Sequence, residues 1–132
     1  RHGCNRMSKT IISTPEAPAA CVPDSQGVKV GNMIYTAGQW GLDPATGKLV
    51  DGLEAQTEQA LRNLAAILEA AGSRMENVVK TTCFLADIAD FKAFNGVYAR
   101  FFASNPPARS TIQAGALPAD ALVEIEVVAF VE

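Results

Sequence analysis

The sequence predicts a single α+β domain with the element order β-β-β-α-β-α-β-β. Three observations carry that prediction. The chain has 132 residues, enough for one core of ordinary size and too few for two. Between residues 53 and 71 the apolar spacing changes from about two to about 3.6, the period of a helix buried on one side. Near the end, Val123, Ile125, Val127, Ala129 and Val131 occupy every second position, as in a strand with one face in a core. At 48% apolar and 19% charged residues, the composition is that of a folded chain.

Residues 9–14 are a short β-like run closed by Pro15 and Pro18. Residues 17–26 hold Pro18 and Pro23 and read as an ordered loop, because proline fixes its own φ and restricts the residue before it. Two β-like runs follow at 27–30 and 33–40, joined at Gly31-Asn32, a two-residue hairpin signal in reversed order. Asp43-Pro44-Ala45-Thr46-Gly47 is a turn. In the first helix Ala60, Leu61, Leu64, Ile67, Leu68 and Ala71 share one stripe, and Gly72 stands where a helix C-terminal glycine belongs. The run 78–86 is β-like. A second helix begins near Asp87 or Asp90, carries Phe91, Phe94, Tyr98 and Phe101 at helical spacing, and ends at Asn105-Pro106-Pro107. Strands at 108–113 and 122–131 close the domain. The two helices cover one face of the sheet. On the other face of the last strand lie Leu122, Glu124, Glu126, Val128 and Phe130, too apolar for open water and too charged for a monomer core. Another subunit, with carboxylates at the seam, satisfies both halves of that pattern.

Charge and composition exclude several function classes. The net charge is −3 and the pI about 5.1, a poor match to a broad phosphate-gripping face, so a nucleic-acid partner is not expected. The one histidine is His2, so a triad, a histidine base or a His-rich metal site would rest on a tail residue. Cys4, Cys21 and Cys83 form no CxxC pair and no zinc spacing; an odd, spread set reads as reduced, and Cys83 as a small buried hydrophobe. No apolar run approaches the roughly 20 residues of a membrane span, and no signal-peptide core follows the N-terminus. The expectation is a cytoplasmic or organellar domain without a membrane partner. Met7 looks like a natural start, which makes residues 1–6 an N-terminal extension or expression remnant and 7–132 the domain.

If the last two strands form a hairpin with its loop near Leu117-Pro118, then Thr111 lies opposite Glu124 and Arg109 opposite Glu126. Arg109, Thr111, Gln113, Glu124 and Glu126 would then share a face. A guanidinium fork matches a carboxylate bidentately, and a glutamate in a buried setting can move protons. The plainer reading is a cross-strand ion pair at a rim, worth roughly a few tenths of a kcal/mol.

Pro107-Ala108-Arg109-Ser110, Leu117-Pro118 and Val123-Glu124-Ile125-Glu126 resemble the C-terminal signature of the Rid family, reactive intermediate deaminases also called YjgF or L-PSP. Ala17-Pro18-Ala19-Ala20, Ser25-Gln26, Gly31-Asn32-Met33-Ile34, Gly38-Gln39, Val78-Val79-Lys80-Thr81-Thr82 and Phe94-Asn95 resemble the rest of it in order. The resemblance implies a chorismate mutase-like fold and a homotrimer whose sheets form a central barrel, with sites in the clefts between subunits. It implies hydrolysis of enamine or imine intermediates such as 2-aminoacrylate to a 2-keto acid and ammonia, with no metal or cofactor. Arg109 takes the position of the family's carboxylate-binding arginine and Glu124 that of its water-positioning glutamate. Gly38 matches a glycine that lets backbone approach the ligand, or alternatively marks a strand bulge. Asn95 matches an asparagine near the site, or is a polar helix-surface residue. Thr111 stands where many members have cysteine.

Where most active members have Gly-Pro-Tyr-Ser-Gln, this chain has Val22-Pro23-Asp24-Ser25-Gln26. Asp24 thus replaces a tyrosine of the cleft, where it would pair with Arg109 or face solvent and leave the cleft more open. This departure from the family's pattern points to activity on 2-aminoacrylate that is weaker than in tyrosine-bearing members, or redirected to a substrate with an extra donor. It leaves two alternatives: a non-catalytic trimer binding keto acids or a protein, and a ribonuclease or translation inhibitor. Trp40 reads as a packing residue or as part of the pocket wall.

Overall fold

A computed structural model of the protein describes residues 8–132. His2, Cys4 and the boundary between residues 6 and 7 lie outside the described residues. The order is β1 (Lys9–Ile12), β2 (Gly27–Val30), β3 (Met33–Thr36), α1 (Leu53–Ala70), β4 (Val78–Leu85), α2 (Phe91–Phe101), β5 (Ala108–Gln113) and β6 (Val123–Phe130), as the sequence predicts. The strands form one mixed sheet ordered β1-β2-β3-β6-β4-β5.

The predicted stripe of α1 is the core. Ala60, Leu61, Leu64, Ile67 and Leu68 are fully buried and pack with Ile34, Val123, Ile125, Val127 and Ala129 from the sheet. Each of the valine, leucine and isoleucine side chains among them contributes about 1.5–3 kcal/mol of burial. Gly72 adopts φ 83° and ends the helix, its N–H donating to the Glu69 carbonyl and that of Ser73 to Leu68, a Schellman arrangement. Cys83 is buried as expected. In α2 the stripe is narrower than predicted: Phe94 and Tyr98 are buried, while Phe91 is exposed. Of the two capping candidates, Asp90 stands at the N-terminus of α2 without a side-chain cap, and Asp87 caps the 3-10 turn before it, accepting from the Ala89 N–H at 2.9 Å.

The last two strands do not form a hairpin. β4 lies between them, parallel to β5 and antiparallel to β6. A tight turn cannot join parallel neighbours, and the β4-to-β5 connection is instead the crossover through α2. β6, apolar along one whole face, takes the position beneath α1 beside β3. The predicted strand over residues 33–40 is interrupted. Tyr35 pairs with Val128, but Gln39 bridges Ile125, one residue out of that register, so a bulge lies between them.

Three buried polar residues lie on the packed side of α1. Asn63 donates from Nδ2 to the carbonyls of Trp40 (3.2 Å) and Leu42 (2.9 Å), and receives Gln59 Nε2 at 2.8 Å. Gln56 donates to the Val50 carbonyl and accepts from the Leu122 N–H at 2.9 Å. Thr57 Oγ1 donates to the Leu53 carbonyl of its own helix. Gly41 is pressed so closely on Gln56 that an added Cβ would lie 2.5 Å from its Cα. Through Asn63 and Gln56 the helix fixes the segment after the bulge and the entry to β6. Asn63→Ala leaves two carbonyls without their donor, and we expect a loss of about 1–3 kcal/mol in denaturant unfolding at fixed protein concentration; an unchanged midpoint would remove this role.

Candidate active site

The sequence-derived site residues fall into two groups on opposite faces of the sheet. Arg109 is level with Thr81, and Thr81 with Val127, both buried on the helix side. Thr111 is level with Cys83 and through it with Ile125, on the same side. Glu124 is level with Phe84, three positions from Thr81 on β4, and therefore on the face away from the helices. The expected common face for Arg109, Thr111, Gln113, Glu124 and Glu126 is thus corrected: the first three lie on the helix side, and the two glutamates on the other.

The first group is built at the open end of α2 and β5. Arg109 Nη1 donates to Asn95 Oδ1 at 2.7 Å. Its guanidinium carbon lies 4.7 Å from the centre of the Tyr98 ring, 5.4 Å from Phe91 and 5.8 Å from Phe94, within cation–π reach of all three. This explains Phe91, an exposed aromatic with little core to join. Tyr98 is fixed in turn by a 2.8 Å hydrogen bond between its hydroxyl and that of Thr81, and burial pushes its phenol up from the ordinary value. Burial likewise pushes up the Cys83 thiol, which keeps it protonated and unreactive. Thr111 Oγ1 is sealed without a hydrogen-bond partner among the described residues. Arg62, Arg74 and Arg100 each pair with a glutamate, whereas Arg109 has no carboxylate partner among the described residues.

The second group surrounds the bulge. Gln26, buried, organises the proline loop: its Oε1 accepts from the Thr14 N–H at 2.7 Å, and its Nε2 donates to the carbonyls of Thr14, Ala17 and Pro18. Its own carbonyl accepts from the Ala37 N–H, tying the loop to the bulge. Between loop and bulge lies a cavity of about 210 Å³ whose lining includes Cys21, Val22, Asp24, Gly38, Trp40 and Leu42. The bulge reading of Gly38 is the one the fold bears out. It sits in the bulge, and an added Cβ would land on the Glu124 carboxylate. Trp40 Nε1 donates to Glu124 Oε1 at 2.6 Å. Asp24 is exposed at the cavity wall and makes no ion pair with Arg109. Of the residues expected to line a site, the fold therefore joins Gly38, Asp24 and Glu124 in one half, and Asn95, Thr111 and Arg109 in the other.

Sequence reasoning missed Tyr98 as a partner of Arg109 and Asn63 as the support beneath Trp40. Both carried a signal. Asn95 and Tyr98 are three apart on α2, and Gln56, Ala60, Asn63 and Ile67 follow helical spacing into the buried stripe.

The family model described as Endoribonuclease L-PSP matches residues 14–131. Reactive Intermediate Deaminase A, chloroplastic, of Arabidopsis thaliana is 49% identical over 124 residues, which are 93% of this chain and 66% of that protein. The human 2-iminobutanoate/2-iminopropanoate deaminase is also 49% identical over 124 residues, 93% of this chain and 90% of that one. The crystal structure of the YjgF gene product from E. coli superposes with a TM-score of 0.89 at 44% identity, covering 92% of this chain and 98% of that chain. On sequence, fold and motif order alike, the chain belongs to the L-PSP family, also named Rid or YjgF.

Proposed function

We propose that the protein is a hydrolytic deaminase of enamine and imine intermediates of the 2-aminoacrylate type, releasing a 2-keto acid and ammonia. The observation that carries this reading is Arg109. Seated on three rings and held by Asn95, with no acidic residue to neutralise it among the described residues, it keeps its ionic capacity for a ligand carboxylate. The names of the Arabidopsis and human relatives support the same chemistry.

The enamine tautomerises to an imine, and water adds to the imine carbon. Glu124 holds that water, accepts its proton and returns it to the nitrogen, and the tetrahedral adduct then expels ammonia as the carbonyl forms. An imine is already electrophilic, so orientation by Arg109 and a placed water are the main requirements. Gly38 leaves the space that the Glu124 carboxylate occupies.

Because Arg109 and Glu124 lie on opposite faces, one chain holds two half-sites, and a whole site needs a second copy. The face away from the helices supports that reading. Ile11, Val28, Tyr35 and Val128 form one row across it, with Ile11 53% and Tyr35 49% exposed. Ile112, level with Phe84, is 52% exposed. So much open apolar surface favours burial between copies, as in the homotrimer the resemblance implies. Asp24, at the cavity wall in place of the family's tyrosine, favours the second reading, a keto-acid-binding trimer without turnover.

With 2-aminoacrylate generated in situ, we expect the protein to accelerate keto-acid release. Glu124→Gln should lower kcat by about 10²–10⁴-fold. Arg109→Ala should lower kcat/KM by about 10–100-fold. No acceleration by the intact protein would favour the binding reading, and full activity in either variant would remove that residue's role. Asp24→Tyr should raise turnover; an unchanged rate would dismiss Asp24 as the cause of any weakness. Light scattering should give three times the 13.9 kDa chain mass, and a stable monomer would exclude a shared cleft.

A further inference from the structure

We propose that Trp40 is the positioning residue of Glu124: its indole N–H holds one carboxylate oxygen and leaves the other, above Gly38, to handle water. The inference rests on the deaminase reading and adds a residue to it.

Register places the pair. Gln39 and Ile125 exchange both backbone hydrogen bonds, at 2.8 and 3.0 Å, so in this antiparallel bridge Trp40 stands opposite Glu124. The two side chains meet on one face, and Nε1 donates to Oε1 at 2.6 Å, a short charge-assisted hydrogen bond. Among the described residues it is the one hydrogen bond the Glu124 side chain makes. Oε2 lies where a Cβ of Gly38 would be, so the second oxygen faces the bare backbone of Gly38, a residue that lines the cavity. A carboxylate with one oxygen occupied and one free has its lone pairs aimed before substrate arrives, and that is what a water-placing base requires.

The backbone beneath the indole is equally fixed. Asn63, 1% exposed, holds the carbonyls on either side of Gly41, and Gly41 is locked against Gln56. Gln56 also holds the Leu122 N–H, two residues before Glu124. One helix thereby sets both members of the pair. A packing tryptophan could satisfy its N–H equally on a backbone carbonyl or on water; here the acceptor is the Glu124 carboxylate beside the bulge.

The sole tryptophan of the chain makes the contact observable. An ¹⁵N-labelled protein gives one indole N–H resonance, which should move upfield in Glu124→Ala. Trp40→Phe keeps the ring and removes the donor; it should lower kcat about tenfold or more with KM little changed, because Arg109 still binds the substrate. In a Glu124→Gln background the same change should cost far less, because Trp40 acts through the carboxylate. An indole resonance indifferent to Glu124→Ala would overturn the proposal. So would a Trp40→Phe enzyme with unaltered kcat whose activity still depends on Glu124, and that result would leave the deaminase reading standing. Absence of hydrolysis by the intact protein overturns the deaminase reading itself, and the positioning role of Trp40 with it.

Discussion

Strand β4 lies between β5 and β6, and every feature of the site follows from that placement. Arg109 is level with Thr81 and Glu124 with Phe84, and three positions along a pleated strand is a change of face. The guanidinium is thereby committed to the helix side, where α2 supplies Asn95 and the Tyr98 ring. The carboxylate is committed to the far side, where the bulge supplies Gly38 and Trp40. No rotamer change brings two groups through a sheet. On the proposed reading, the fold builds two partial sites, and a second copy is what joins them.

Each half is stiffened by groups that bear no chemistry themselves. Tyr98 stacks on Arg109 and is pinned by Thr81, a buried residue of the central strand β4. Asn63 and Gln56 reach from α1 to the backbone around Trp40 and to the start of β6. Gln26 does the same for the proline loop. These polar side chains are buried with their hydrogen bonds made, which turns a costly burial into a fixed geometry. Gln26 stands at the cavity itself, whereas Asn63, Gln56, Tyr98 and Thr81 lie within the core, so the geometry around the cavity is set largely from the core.

Much of this was legible in the sequence, for physical reasons that differ by element. The α1 stripe, the Gly72 terminus and the alternation of β6 are local patterns whose periods state which side is buried, and each is found as predicted. The motifs around Arg109, Gly38 and Glu124 identified the family that the comparisons establish. Strand order was not legible, because pairing joins residues far apart in sequence. The assumed hairpin between the last strands put Arg109 and Glu124 on one face, when the apolar face of β6 was better used beside β3 under α1. Asn63 was hidden by its polarity, although its spacing places it in the stripe. Trp40 read equally well as packing or pocket wall until the Gln39–Ile125 bridge set it opposite Glu124.

The central claim is that a working site takes Arg109 from one copy of the chain and Glu124 from another. Its most direct test is complementation between Arg109→Ala and Glu124→Gln chains, each strongly impaired alone, mixed in equal amounts and refolded together. Random assembly into trimers with shared clefts predicts recovery of about a quarter of the wild-type rate, because that fraction of clefts receives both intact residues. Mixed trimers that form and recover no activity would place both residues' roles within one chain and contradict the account.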